Sequence, residues 1–165
     1  MKRALAVAAM TFGFAAPALA AMSAQEFVDA AANSGLFEIK SSQAALDQKV
    51  PTDVADFAQK MIVDHTKAND ELMAVAKGKD VTVPESLDAK HQETLDEVEG
   101  MQGEDFVKGY VDAQVKGHEE TVETFQAYAK EGDDADLTGF ASKTLPTLQE
   151  HLDMAKQIQG KMGGS

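Results

Sequence analysis

Between Val54 and Val75 the buried-type residues recur at alternating steps of four and three: Val54, Ala58, Met61, His65, Ala68, Leu72 and Val75. That is the period of a helix burying one stripe, and it cannot be used by a strand, whose side chains alternate every second residue. Three more segments repeat the pattern. One runs Phe27, Ala31, Ser34, Glu38, Ser41, Ala45; the next Val111, Val115, His118, Val122, Phe125, Ala129; the last Leu137, Ala141, Thr144, Leu148, His151, Ala155, Ile158. Four such stripes have only one another to bury against, which predicts an all-α, antiparallel four-helix bundle. Tryptophan is absent and β-branched runs are scarce, in keeping with helix.

Caps and breakers set the boundaries. Ser23 followed three residues later by Glu26 is a capping box, opening α1 over 23–48. Pro51 and Thr52 open α2, which Gly78 ends. After a connection from Lys79 to Pro84, Leu87, His91, Leu95 and Val98 form the apolar face of a short α3 over 85–100. Gly103, Glu104 and Asp105 begin α4, stopped by Gly132, and Asp133 or Asp134 caps α5, which reaches 160. Pro146 removes one backbone hydrogen bond inside α5 and predicts a kink there. Residues 161–165 read as a flexible tail, leaving 21–160 as one bundle domain.

The long segments are about 25 residues, roughly 38 Å of helix each. Short turns make α1/α2 and α4/α5 antiparallel hairpins, whereas the longer α2–α4 connection allows a helical crossover of about 24 Å. With that crossover α4 runs parallel to α2, the ferritin-like connection.

Residues 1–20 differ from the rest. Lys2 and Arg3 precede an apolar stretch from Ala4 to Ala16, and Ala18-Leu19-Ala20 offers a small-residue cleavage site. This is the pattern of a secretory signal peptide, placing the mature chain in the periplasm or outside the cell. No stretch reaches the roughly 20 apolar residues of a transmembrane anchor. Removing Lys2 and Arg3 from the 15 basic residues leaves 13 against 28 acidic ones, a net charge of −15 that opposes nucleic acid and anionic lipid. Without cysteine there is no disulfide, lipid-anchoring thiol or haem-attachment motif. No partner chain is implied, and a homo-oligomer is compatible with the pattern.

All four histidines, His65, His91, His118 and His151, fall on apolar stripes. Counted along parallel α2 and α4, His65 and His118 come within about one turn of each other, and His151 on α5 within about 6 Å of their level. Glu38, the one acid on the α1 stripe, stands at a similar height between the small Ser34 and Ser41. Three imidazoles and one carboxylate, one from each long helix, then converge. Such a set suits a single zinc, copper(II) or iron ion. Two alternatives stay open: a metal-free, hydrogen-bonded cluster, and a softer site in which Met61 or Met154 joins the histidines to hold copper(I) or haem. His91 on α3 reads as supporting or structural, and Tyr110 and Gln114 as residues able to hydrogen-bond to ligands. No cysteine nucleophile, Gly-x-Ser-x-Gly elbow or phosphate loop is present, so no catalytic residue is expected.

The stretch Phe57-Ala58-Gln59-Lys60-Met61-Ile62-Val63-Asp64-His65-Thr66-Lys67-Ala68-Asn69 carries a family resemblance. So do Leu87-Asp88-Ala89-Lys90-His91-Gln92, Tyr110 to Val115 followed by His118, Thr144-Leu145-Pro146-Thr147-Leu148 followed by His151-Leu152, and Glu38 after Gly35-Leu36-Phe37. Across nearly the whole mature chain these segments resemble the bacterial family named domain of unknown function 4142. The resemblance implies an exported ferritin-like bundle without an established activity. Ile62 and Leu148 stand three residues before His65 and His151, where a di-iron protein has glutamate, which argues against a carboxylate-bridged di-iron centre. The reading is of an exported protein binding one transition-metal ion through Glu38, His65, His118 and His151, in metal handling or envelope stress protection. The alternative is a metal-free structural or interaction module of the envelope.

Overall fold

The computed structural model describes residues 22–163, so the signal peptide expected at 1–20 lies outside the described residues. Five helices follow in order: α1 Ala24–Asp47, α2 Thr52–Ala76, α3 Ala89–Glu99, α4 Gly103–Glu131 and α5 Ala135–Met162. No strand occurs among the described residues, and no helix there is long and apolar enough to cross a membrane.

The local chemistry explains most of the boundaries. The capping box closes as read, with Ser23 Oγ accepting from the Glu26 amide and Glu26 accepting from the Ser23 amide at 2.8 Å. At α5 the carboxylate of Asp134, not Asp133, accepts from the Asp136 and Leu137 amides. Two expectations need correction. Helix α3 begins at Ala89 rather than 85, because the Asp88 carboxylate accepts from the His91 amide and fixes the first turn there. Helix α5 passes Gly160 and ends at Met162, with Gly163 as its cap. It also runs continuously through Pro146, which sits on the exposed side where the lost hydrogen bond leaves no buried group unpaired.

The long helices close a ring in which α1 packs on α2 and α4, and α5 packs on the same two. Their directions follow from the ends. Lys79, just past α2, pairs with Asp134 and Asp136 at the start of α5, while Lys161 near the end of α5 reaches Asp53 at the start of α2. At the head of α1, Phe27 stacks on Tyr128 near the end of α4, with ring centroids 4.0 Å apart. Helices α2 and α4 are therefore parallel across a diagonal. Helix α3 lies against α1 and α4 and carries the chain back between them. Asn33 on α1 accepts from the Asp88 amide at the start of α3, at 2.6 Å. At Gly35 a side chain would run into Asn69, so its bare backbone lets α1 and α2 approach.

Burial divides into three layers. One apolar cluster gathers Phe27, Leu72, Phe125, Tyr128, Leu137 and Phe140 towards one end, and a second gathers Phe57, Met61, Phe106, Tyr110, Val111 and Ile158 towards the other. Between them lies a polar stratum of Ser34, Glu38, Ser41, His65, Gln114, His118, Thr121 and His151, all buried. A bundle core with a polar layer at mid-height is less stable than an uninterrupted apolar one unless that layer's groups find partners.

Candidate metal centre

Helix α2 delivers His65, α4 delivers His118 and α5 delivers His151, each from the middle of its buried stripe. They are 4 %, 1 % and 1 % exposed. Their ring centroids are 5.3 to 5.6 Å apart, and each offers a nitrogen within 4.8 Å of the other two.

Hydrogen bonds on the outer side of two rings select the tautomers. His118 Nδ1 is 2.9 Å from the Gln114 carbonyl, which can only accept, so the proton sits on Nδ1 and the Nε2 lone pair is free. His151 Nε2 is 2.9 Å from Asp64 Oδ2 and donates to it, which frees the lone pair of Nδ1. Both freed nitrogens, together with His65 Nε2, lack a hydrogen-bond partner. Orienting a histidine through its outer N–H is how proteins prepare imidazole ligands.

The charge states agree with that role. Burial, with the neighbouring imidazoles adding to it, holds His65 well below its ordinary range. Burial likewise brings His118 down to about 4 and lowers His151, the latter against the opposing pull of Asp64. All three are neutral near pH 7, as metal ligands must be. Asp64 resists its own partial burial and stays low because it accepts from His151 and Lys60. Three nitrogens about 2.1 Å from a tetrahedral ion stand roughly 3.4 Å apart, so closing the cluster on zinc asks each ring to move by about 1 Å.

Glu38 is placed differently from the sequence expectation. Its carboxylate is buried beside His118, with Oε1 3.6 Å from Nδ1, the nitrogen that faces away from the free lone pairs. It is therefore not among the atoms that converge. The α1 stripe brought Glu38 to the right height, but the Gln114 hydrogen bond turns the far side of the His118 ring towards it. Burial pushes its carboxyl up to about 8, against a smaller lowering by Gln114. A Cβ on Gly117 would lie 3.3 Å from Oε1, so that glycine makes the room.

The remaining candidates divide. Gln114 contributes its backbone carbonyl to His118, while its side-chain amide donates to Ser41 Oγ at 3.1 Å. Tyr110 belongs to the second apolar cluster and bonds to Ser42 rather than to the histidines. Met61 is wholly buried in that cluster and Met154 packs against it. His91 donates to Asp88 from α3 and leans on Phe37, outside the three-histidine group. Asp64 escaped the sequence reading because the residue before a stripe histidine points about 100° off that stripe. Only the position of α5 turns it into the partner of His151.

A crevice of about 120 Å³ between α2 and α5 reaches His65 and His151 from the surface. Asp64, Glu71 and Lys143 line it, and Lys143 pairs with Glu71 across it. Three buried imidazoles this close could hold a metal ion between them.

A family model described as Domain of unknown function (DUF4142) matches residues 9–158. Among curated proteins and among solved structures nothing matches the chain.

Proposed function

The chain belongs to the DUF4142 family, and from that premise, which brings no activity with it, we propose an exported ferritin-like protein that binds one transition-metal ion in its bundle core. The ligands are His65 Nε2, His118 Nε2 and His151 Nδ1, with a fourth position open to water. Glu38 stands behind His118 as a carboxyl that a bound cation favours in its charged form. Zinc, copper(II) and iron all suit nitrogen donors in this number.

The observation that carries the reading is the set of three buried, neutral imidazoles, each left with an unpartnered nitrogen and each offering one within 4.8 Å of the others. An unsatisfied buried polar atom costs about 1–3 kcal/mol, and a shared ion satisfies all three together. The ion also ties α2, α4 and α5, so binding energy becomes folding energy. The signal-peptide pattern of residues 1–20 supports the periplasm or the outside of the cell as the setting of this chemistry. Metal handling or protection of the envelope under stress is the role that fits.

Calorimetric titration of the chelator-treated protein with zinc and copper(II) tests the site. One equivalent should bind with release of little or no proton from the histidines, and His118→Ala should abolish it. Binding of several weak equivalents, unchanged in His118→Ala, would assign the metal to the acidic surface and leave a metal-free structural or interaction module.

A further inference from the structure

On the other side of the bundle from the α2–α5 crevice, a second cleft of about 230 Å³ opens between α1, α3 and α4. Buried Phe37, Glu38 and Phe125 line it, and exposed Lys90, Lys116 and Glu120 surround its mouth. Glu38 is 1 % exposed, and its Oε2 has no hydrogen-bond partner. Among the described residues no lysine or arginine pairs with it, and the nearby His118 Nδ1 gives its proton to Gln114. The missing side chain at Gly117 keeps space against Oε1.

A buried carboxyl with an unused oxygen, beside a chamber carrying two aromatic rings, is the chemistry of an ammonium receptor. In its ionised form, which an adjacent cation favours, the carboxyl accepts charged N–H hydrogen bonds, and ring faces attract cations and their polarised neighbours. A cavity of about 150 Å³ accommodates benzene, so this one has room for a short amine. The net charge of −13 draws cations to the molecule. The mouth limits which cations stay, since Lys90 is paired with Glu120 whereas Lys116 has no ion-pair partner among the described residues. A second positive charge on the ligand would meet Lys116. We propose that the cleft binds a small molecule carrying one primary ammonium group on a short apolar chain, its ammonium against Glu38. The cleft shares no ligand atom with the metal site, because the free lone pair of His118 faces the other imidazoles.

The test is titration of the isotope-labelled mature protein with n-butylamine at pH 9, where the carboxyl is ionised and the alkylamine still carries its proton, by calorimetry and amide NMR shifts, in metal-free and metal-loaded forms. One saturable site is expected, with shifts at Gly117 and Thr121 in both forms. Glu38→Gln should weaken it by roughly tenfold or more, as loss of a charge-assisted hydrogen bond does. Ala113→Leu, which narrows the cleft and leaves Glu38 in place, should do the same. Putrescine should bind more weakly than butylamine, and n-butanol not at all. Tighter binding of putrescine would mean general attraction to an acidic surface and would overturn the assignment. Unchanged affinity in both variants, or equal binding of n-butanol, would overturn it as well.

Discussion

Replacing Glu38 by Gln should change how the metal-free protein responds to alkali more than it changes the fold. In the folded chain the Glu38 carboxyl keeps its proton up to about pH 8, while the unfolded chain releases it near 4.5. Between those values the folded state binds more protons, so stability falls as pH rises through the window. The three histidines oppose this below 6.5, where the unfolded chain takes up protons that the buried imidazoles refuse. Stability should therefore peak close to pH 6.5. From there to pH 8 the Glu38 contribution alone amounts to about 2 kcal/mol at 1.36 kcal/mol per pH unit. For a domain of this size that share is worth about 4–8 °C of Tm, partly offset in the parent because the unfolded histidines go on losing protons above pH 6.5. Glutamine keeps the shape without the ionisation, so the variant should not decline over the same interval, and its Tm should pull ahead of the parent's by about the Glu38 share as pH rises. Thermal melts by circular dichroism, in chelator between pH 5 and 9, measure both profiles. Parallel alkaline declines in parent and variant would refute the assignment of a buried, proton-holding carboxyl to Glu38.

On the acid side, His118 lies at about 4 when folded against 6.5 unfolded, so roughly 3 kcal/mol should be lost as pH falls through that range. His118→Gln should remove that share of the acid loss in urea titrations across the same pH series. Asp64→Ala frees the outer nitrogen of His151 and should weaken metal affinity by about 10–100-fold while leaving the helical spectrum intact, as competition with a chromophoric chelator would show. Phe27→Ala removes the ring stacked on Tyr128 in the first apolar cluster and should cost about 3–5 kcal/mol in chemical denaturation. Being outside the polar stratum, it should leave metal stoichiometry at one.

Helical periodicity makes a stripe legible, and the stripes of α2, α4 and α5 sufficed to bring His65, His118 and His151 to one height. Lengths and short turns gave the hairpins, and the long α2–α4 connection accommodates α3. What periodicity does not encode is the rotation of a ring about its own bonds. Which nitrogen of His118 faces inward depends on a hydrogen bond to the Gln114 carbonyl, and that choice moved Glu38 from ligand to neighbour. Nor does one helix reveal what an off-stripe residue meets on the next, which is why Asp64 stayed hidden. The start of α3 slipped for a local reason: Leu87 fits the apolar spacing, but the capping carboxylate of Asp88 decides where the helix begins.

The most direct test of the metal site is elemental analysis of the protein purified from its host without affinity tag or chelator, beside His65→Ala, His118→Ala and His151→Ala. About one equivalent of zinc, copper or iron is expected in the parent and none in any of the three variants. Parent protein that holds no stoichiometric metal even after incubation with each ion, or variants that retain the parent's content, would contradict the proposed site.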